Sequence, residues 1–232
     1  MPIPQNFAKP AKISAKERAL GQIQRWIIDG TLLPGEKLMD MDLSEALGIS
    51  RTPIREALQI LEMQGFVEIR QGKETRVAGI EKNDILKIYP PFAAIQSLAA
   101  ELAAPMFSAE RIEKLREINA GFAALMDQGR PYQAMEKDEE FHDVIIEAAD
   151  NPYISSFSAT MLMHIRRFKF IFLRRITASD QASANEHNML IDALAAGDAA
   201  EAGRIMKQNI MRPMRELFRA LEEDEAYADP RK

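Results

Sequence analysis

The 232-residue chain contains no cysteine, which excludes disulfide bonds, thiolate metal ligands and a cysteine nucleophile. It also lacks any apolar run near the roughly 20 residues of a membrane-spanning helix, and no signal-peptide pattern opens it. We therefore expect a cytoplasmic protein with no membrane partner. Hydrophobic residues make up 47% of the chain and charged residues 28%, so a packed core can form in one large or two ordinary domains.

The net charge of −5 is unevenly distributed along the chain. Residues 1–78 hold 11 Lys or Arg and 10 Asp or Glu, a net charge of +1, whereas the remainder holds 19 and 25, a net charge of −6. Phosphate neutralisation is local, so a near-neutral segment can bind DNA when its basic residues converge on one face. The overall acidity therefore does not exclude nucleic acid as a partner of the N-terminal part.

One stretch, residues 50–61, has the pattern of a helix that reads DNA. Ser50 is placed to cap the helix, and Pro53 falls in the first turn, where a missing N–H costs little. Polar side chains fall off the apolar stripe near the N-terminal end, namely Arg51, Thr52 and Arg55. Arginine can pair with a guanine edge and a helix start can bind phosphate, which suits the major groove. On these residues alone, a solvated helix start is an equal alternative.

The segment before this stretch completes a helix-turn-helix. The apolar period predicts a first helix from Ser14 to about Asp29. A short second helix begins at Asp40 or Asp42 and ends at Gly48, and the DNA-reading stretch starts two residues later. A short helix, a tight turn with glycine and a second helix form a helix-turn-helix.

Residues 66–78 predict a small β-hairpin, or wing, with its tip at 71–74. Gly72 allows close approach of the backbone to a groove or phosphate, and Lys73 and Arg76 lie beside it. A lone Gly-Lys hairpin is usually only a turn. Directly after a helix-turn-helix, however, it indicates a second DNA contact.

From residue 80 onward the pattern is helical, with breaks at proline, glycine and asparagine. The expected helices span residues 81–104, 108–128, 132–149, 152–176, 180–196 and 198–224. Pro90 and Pro91 predict a kink or an interruption in the first of them. The predicted fold class is therefore mainly α, with an N-terminal winged helix-turn-helix of three helices and a small β-hairpin, then an all-α antiparallel helical bundle.

Asp138 and His142 lie four residues apart on one predicted helix, so both side chains point the same way, as two metal ligands require. His187 lies on a later helix. On the residues alone, an isolated Asp-x-x-x-His pair is more often structural than metal-binding. The neighbouring Glu139 and Glu140 are expected to point away from the face that carries Asp138.

The run from Leu43 to Leu58, continued by Gly65-Phe66, resembles the winged-helix domain of GntR-family transcription regulators. In the fatty-acid regulator branch of that family, the two arginines of the Ser-Arg-Thr-Pro-x-Arg segment read base edges, and the wing-tip glycine enters the minor groove. The resemblance places these roles on Arg51, Arg55 and Gly72. Met41 stands where that branch often has a further arginine.

The C-terminal part is similar to the FCD effector domain that accompanies this winged helix. The similarity is carried by Asp138 to His142, Asn151-Pro152, Glu186-His187 and the segment from Ile191 to Ala202. In many such domains an Asp and three His bind a divalent metal, which helps hold a small carboxylate effector. The resemblance assigns the zinc or nickel ligands to Asp138, His142, His187 and, as a weak fourth ligand, Asn209. Asn209 stands where the family usually has histidine, and its neutral amide oxygen is a weaker ligand.

The resemblance also implies an effector site, for which the candidates are Phe92, Gln96, Arg167 and Asn209. Phe92 and Gln96 stand where the first helix of such a domain commonly carries an arginine and an acidic residue, so the effector cannot be copied from a relative. Arg167 belongs to an arginine-containing helix that can supply positive charge for a carboxylate. On the same helix, Phe157 belongs to the expected apolar stripe and His164 is expected to be a hydrogen-bonded core histidine.

These predictions describe a transcription regulator, by default a repressor, that binds a palindromic operator as a homodimer and senses a small organic acid. It is predicted not to be an enzyme. Two alternatives remain open, a metal-independent sensor of acyl-CoA or another ligand, and a metal-dependent hydrolase fused to a DNA-binding domain. The predicted organisation is a disordered arm at 1–13, the DNA-binding domain at 14–78, a linker at 79–83, the effector-binding and dimerisation domain at 84–224 and a tail at 225–232.

Overall fold

The computed structural model describes residues 13–70, 74–172 and 181–223. The chain divides into two compact units, Met1–Ile80 and Glu81–Lys232. The predicted fold class is confirmed, with a winged helix-turn-helix in the first unit and a helical bundle in the second.

The predicted arm, apart from Ile13, and the predicted tail fall outside the described residues. Among the helices that are described, none has the length and apolar character needed to cross a membrane.

The described part of the N-terminal unit contains three helices: α1 (Ala15–Ile28), α2 (Asp40–Leu47) and α3 (Arg51–Met63). Ser14 caps α1 as predicted, because its hydroxyl accepts a hydrogen bond from the Glu17 N–H while the Glu17 carboxylate accepts one from the Ser14 N–H. Gly48 ends α2 with a φ of 62°, a left-handed conformation that glycine adopts without steric cost. The chain can therefore turn sharply from α2 into α3.

The apolar face of α3 packs against α1 and fixes which residues of α3 stay outside. On α3 the buried side chains are Ile54, Ala57, Leu58 and Leu61, and on α1 they are Ala19, Ile23 and Ile27. With this face in the core, the polar side of the first turn of α3 is left exposed, as the sequence pattern predicts.

The sheet has three strands, β1 (Lys37–Leu38), β2 (Val67–Arg70) and β3 (Glu74–Val77), in the antiparallel order β1-β3-β2. The β2–β3 pair is the predicted hairpin. The sequence analysis missed β1, because two residues are too few to show an alternating pattern. The tip at residues 71–73, with the predicted contacts Gly72 and Lys73, lies outside the described residues.

The second unit contains six helices in the described residues, with a 3₁₀ turn at Ala104–Met106 after the first. They are α4 (Asp84–Ala103), α5 (Ala109–Asp127), α6 (Pro131–Ala148), α7 (Pro152–Phe172), α8 (Gln181–Ala195) and α9 (Ala199–Glu223). Helix α4 runs unbroken through Pro90 and Pro91, so the alternative of an interruption is wrong. The flanking Tyr89, Phe92 and Ala93 are buried, and this packing holds the helix where two backbone donors are missing.

The core of the bundle forms where α4 packs against α6, α7 and α9, and where α5 packs against α6 and α8. The inward side of α7 differs from the prediction: Ser158 is buried, whereas Phe157 is 57% exposed. Ile154 packs against Ala99 of α4, and the residue one turn later on that face is Ser158 rather than Phe157. His164 is half-buried.

Candidate functional site

Helices α6 and α8 bring together the three side chains predicted as metal ligands. Asp138 and His142 lie on α6 and His187 lies on α8. Their potential ligand atoms all lie within 4.8 Å of one another. Both histidines are buried, and Asp138 keeps 22% of its side chain exposed. This arrangement requires the fold, because His187 is far from the other two in the sequence.

The distances between these side chains match the size of a small divalent ion. Asp138 Oδ1 lies 3.4 Å from His187 Nε2 and 3.9 Å from His142 Nε2. Two ligands that each lie about 2.0–2.1 Å from a metal, at the tetrahedral angle, are separated by about 3.4 Å. The side chains therefore need only small movements to bind such an ion together.

Asn119 on α5, which the sequence analysis missed, fixes the tautomer of His187. Its Nδ2 donates to the Ala184 carbonyl and to Asn188 Oδ1, so its own oxygen faces His187. This oxygen lies 3.0 Å from His187 Nδ1 and can only accept, so Nδ1 carries the proton. In the neutral imidazole Nε2 is then the acceptor nitrogen; it is buried, has no hydrogen-bond partner among the described residues and faces Asp138. A cation between the two would satisfy both.

Aromatic rings hold the plane of the His187 imidazole. Phe141 stacks on it with the ring centroids 4.0 Å apart and the planes 16° from parallel, and Phe122 packs against it at 5.4 Å. His142 meets the same imidazole edge-on at 5.6 Å. A ring confined in this way loses little conformational entropy when it binds an ion.

Asn209 on α9 lines the same cavity, and Glu186 fixes the orientation of its amide. Its Nδ2 donates to Glu186 Oε2 at 3.1 Å. Glu186 is buried and also accepts from Arg212 Nε, and Arg212 in turn donates to the Ser183 hydroxyl. Because a carboxylate can only accept, the amide nitrogen of Asn209 faces Glu186 and its oxygen faces the cavity, where it interacts with His142. That oxygen is the atom that a metal could use.

Burial and charge set the protonation states in this cluster. Burial lowers the pKa of His142 to about 4, against the opposing effect of the Asp138 charge. Burial raises the pKa of Asp138, but the contact with His187 and the charges of His142 and Lys169 outweigh it and hold that pKa well below its usual range. At neutral pH the site therefore offers a neutral imidazole and a carboxylate, the forms that bind metal.

A cavity of about 40 Å³ adjoins the ligand cluster. A single water needs about 10–15 Å³ on the same measure, so the space suits an ion with a few small ligand atoms. Three of the predicted effector residues line it, Phe92, Gln96 and Asn209. The fourth, Arg167, is buried but does not line this cavity, and burial lowers its pKa to about 10. The cation that does line it is Lys169, which the sequence analysis missed.

Glu139 does not point away from the site, contrary to expectation. It is buried, lines the cavity and accepts from Arg166, with Glu139 Oε2 to Arg166 Nη2 at 2.5 Å. The expectation assumed one buried face, whereas α6 packs against α4, α5 and α7 and buries more than one. Glu140 pairs with Lys137 on the same helix. A carboxylate held by two guanidinium nitrogens is poorly placed to act as a general base.

The predicted DNA-reading residues form a basic, exposed surface at the start of α3. The side chains of Arg51 and Arg55 are 57% and 60% exposed, and Thr52 is exposed beside them. Both arginines converge on Asp40 of α2: Arg55 Nε lies 2.5 Å and Arg51 Nη2 lies 3.4 Å from its Oδ2. The sequence analysis did not single out Asp40 for this contact.

The other predicted DNA contacts are placed differently. Ser50 occupies the N-cap position, yet its hydroxyl makes no capping hydrogen bond, so the backbone N–H groups of the first turn stay available to a phosphate. Arg76 on β3 binds both oxygens of Glu74 and donates to the Gly35 carbonyl. Its guanidinium is therefore engaged within the protein.

Comparison with known proteins matches both units to families. Residues 15–77 match "Bacterial regulatory proteins, gntR family", and residues 88–212 match the FCD domain. The chain is 26% identical over 207 residues to the transcriptional repressor GlaR of Escherichia coli, covering 82% of this chain and 91% of GlaR. It is 26% identical over 201 residues to the regulator LutR of Bacillus subtilis, covering 78% of this chain and 90% of LutR.

Among solved structures, E. coli McbR/YncC superposes with a TM-score of 0.74 at 18% identity, covering 90% of this chain and all of that one, which supports the fold. Proteins of this family are non-enzymatic DNA-binding regulators, so the prediction that the chain is not an enzyme is confirmed and the hydrolase alternative is wrong. The chain belongs to the gntR family of bacterial regulatory proteins and combines its helix-turn-helix with an FCD domain.

Proposed function

We propose that the protein is a repressor that binds a palindromic operator as a homodimer and responds to a small organic carboxylate held with the help of a divalent metal. One observation supports the sensing function above all others. With its proton on Nδ1, a neutral His187 presents Nε2 as an acceptor to the carboxylate of Asp138, which lies 3.4 Å away. Two acceptors at this distance repel unless a cation or a proton lies between them.

The proposed metal ligands are Asp138, His142, His187 and the oxygen of Asn209. Imidazole nitrogen and carboxylate oxygen suit zinc or nickel, and the amide oxygen adds a weaker fourth ligand. The ion would supply positive charge that a carboxylate can bind directly. The arrangement of Asn119 and Glu186 behind the ligands favours a pre-oriented site.

The proposed effector is a small monocarboxylate that lies in the 40 Å³ cavity. Lys169 is the proposed second positive group for it, and the amide of Gln96 and the ring of Phe92 line the same space. Arg167 is not needed in this proposal, because it does not line the cavity. An acyl-CoA sensor is the weaker alternative, since a cavity that holds about three waters has no room for an acyl chain.

The proposed DNA contacts combine the start of α3 with the wing. Arg51 and Arg55 would read base edges, while Ser50, Thr52 and the N-terminal N–H groups of α3 would bind phosphate. Gly72 and Lys73 of the wing are proposed from the sequence pattern. Arg76 would have to exchange its contacts with Glu74 to reach DNA, so we assign it a supporting role in the wing.

Homodimerisation is supported by exposed apolar side chains on two adjacent helices of the second unit. Leu98 and Leu102 of α4, and Tyr153 and Phe157 of α7, are all exposed, and α4 packs against α7. Such side chains are a natural surface for a second copy of the chain, and a twofold dimer matches a palindromic operator. A protein that reads chromosomal DNA acts where the chromosome is, so the predicted cytoplasmic location is part of this proposal.

The test combines metal analysis with DNA binding. Elemental analysis of the purified protein is expected to find close to one zinc or nickel per chain, lost on treatment with a chelator. A duplex selected by the wild-type protein from a randomised library serves as operator, and small carboxylates are screened for release of the protein from it. Release should require the metal and should be absent in His187→Ala. Metal-free purified protein that also fails to take up added zinc or nickel would overturn the metal role, and release without metal would favour the metal-independent alternative.

A further inference from the structure

Asp40 connects the two helices of the helix-turn-helix through the arginines of α3. It is the first residue of α2, and its side chain is 23% exposed, whereas the arginines it contacts are more than half exposed. Its Oδ2 accepts from Arg55 Nε at 2.5 Å and lies 3.4 Å from Arg51 Nη2. The hydrogen bond with Arg55 is the main cause that holds the pKa of Asp40 below its usual range.

Asp40 contacts Arg55 through Nε, which leaves the outer edge of the guanidinium available. A guanidinium has five N–H donors, and the contact with Asp40 uses only the one on Nε. Within the described parts of the chain, the two terminal nitrogens of Arg55 make no hydrogen bond. Those two nitrogens form the fork that matches the O6 and N7 acceptors of guanine.

An exposed ion pair of this kind contributes little to folding stability, because solvent screens it and two long side chains lose freedom. Its effect on recognition can be larger. A long arginine side chain gives up considerable rotamer entropy when it is fixed on a base, and a neighbouring carboxylate that holds the side chain beforehand reduces that loss. The carboxylate also adds negative charge near the phosphates, which weakens binding to any DNA sequence.

We propose that Asp40 is a positioning residue for DNA recognition, which holds Arg55, and more weakly Arg51, in the orientation that reads a base edge. This inference depends on the proposed role of these arginines in DNA contact. It predicts that Asp40 increases discrimination between sequences while it decreases affinity for DNA in general.

The experiment compares Asp40→Asn with a matched control, Asp42→Asn. Asp42 lies in the same first turn of α2, is exposed, and makes no side-chain hydrogen bond or ion pair with the described residues. Dissociation constants are measured for two duplexes of equal length, the one that wild-type protein selects from a randomised library and an unrelated one. Both variants should bind the unrelated duplex slightly more tightly, because each removes one negative charge.

Only Asp40→Asn should lower the ratio of specific to non-specific affinity. We expect a decrease of about five- to tenfold, part of the discrimination that one bidentate arginine–guanine pair supplies. In an Arg55→Ala background the same substitution should change the ratio no more than Asp42→Asn does. Circular dichroism melting of each variant, with transitions close to that of wild type, separates this effect from a loss of the fold.

Three results would overturn the inference. Equal ratios for Asp40→Asn and Asp42→Asn show that the carboxylate does not position the arginines. Operator affinity that rises in Asp40→Asn more than in the control shows that Asp40 holds the arginines away from DNA. If Arg55→Ala leaves operator affinity unchanged, Arg55 does not read the operator and the inference about Asp40 fails with that role. If Arg55→Ala weakens operator binding but Asp40→Asn has no effect, only the inference about Asp40 is rejected.

Discussion

His187 Nε2 and Asp138 Oδ1 face each other at 3.4 Å, and the hydrogen bond from His187 Nδ1 to Asn119 makes Nε2 the acceptor nitrogen of the neutral imidazole. The nitrogen and the oxygen are thus both acceptors, held close together in a largely buried site. In a low-dielectric environment this arrangement is unfavourable without a positive charge between them. A divalent ion fits that position and its distances, which is why the predictions below begin with the group that sets the tautomer.

Replacing Asn119 should weaken metal binding although Asn119 does not touch the metal. In Asn119→Leu the proton of His187 is free to move to Nε2, and the ring loses its acceptor, so the affinity for zinc or nickel should decrease by about 10- to 100-fold. Isothermal titration calorimetry of chelator-treated protein with zinc or nickel measures this affinity. Asn119→Asp keeps an acceptor for Nδ1 and should retain most of the affinity.

Asn188→Ala is the control for loss of packing in the same region. Asn188 is exposed and accepts from Asn119, but it makes no hydrogen bond or ring contact with the imidazole of His187. The affinity of the Asn188→Ala protein for metal should stay within a few fold of that of wild type. An Asn119→Leu protein that binds metal as tightly as wild type would show that the tautomer is fixed in some other way.

The sequence could locate the parts of the site that follow helical spacing, but not those that depend on contacts between helices. Asp138 and His142 are four residues apart on one helix, and this spacing predicts a shared face without any structure. Asn119 lies among the buried positions of α5, close to Ile118 and Phe122. A polar residue within an apolar stripe was the one signal that could have found it.

Lys169 gave no comparable signal, because a basic residue close to other basic residues on a helix is expected to be exposed to solvent. Its proximity to the cavity depends on how α7 packs against α4. The sequence pattern placed Phe157 on the inward side of α7, whereas the buried residue there is Ser158. The sequence pattern indicated only that Asp40 begins a helix. Its contact with Arg55 joins two helices through a turn whose geometry the sequence does not specify.

Replacing Asn209 with histidine should strengthen metal binding. The imidazole of Asn209→His can donate one N–H to Glu186, as the amide does now, and offer its other nitrogen to the metal. Imidazole is a better ligand for zinc or nickel than a neutral amide oxygen, so affinity should increase by about tenfold, equivalent to about 1.4 kcal/mol. Competition with a fluorescent zinc chelator measures this change, and Lys207→His, at an exposed position of α9, is the control. Unchanged affinity would place position 209 outside the coordination sphere.

Metal-free protein should lose stability as the pH falls below neutrality. Burial lowers the pKa of His142 from 6.5 to about 4, so between these values the unfolded chain binds more protons than the folded one. The free energy of unfolding therefore decreases as the pH falls from about 6.5 toward 4. Urea denaturation of chelator-treated protein at several pH values measures the slope, and His142→Gln should flatten it. Equal slopes in wild type and variant would mean that His142 does not cause the effect.

Lys169 should determine how tightly a carboxylate effector binds. Lys169→Met removes the positive charge that lines the cavity, and loss of one charged hydrogen bond, worth about 1.5–3 kcal/mol, should weaken binding by tenfold or more. The probe is a C2–C3 monocarboxylate that raises the melting temperature of metal-loaded wild type in a screen. Lys169→Arg should retain part of the affinity, and Lys137→Met, whose lysine pairs with Glu140 on α6, should leave it unchanged. Full effector affinity in Lys169→Met would assign the anion contact to the metal alone.

Charge placed on the exposed apolar surface of α4 should dissociate the proposed homodimer. Leu98 and Leu102 are 46% and 43% exposed, and covering them in a dimer would contribute roughly 1 kcal/mol each. The double substitution Leu98→Glu and Leu102→Glu loses this burial and sets like charges against each other across a twofold axis, so the dimer should weaken by at least about tenfold. Met189→Glu on α8, also 46% exposed, provides the control for an added surface charge. Sedimentation velocity at micromolar concentration measures the distribution, and a variant that remains as dimeric as wild type would exclude this surface as the interface.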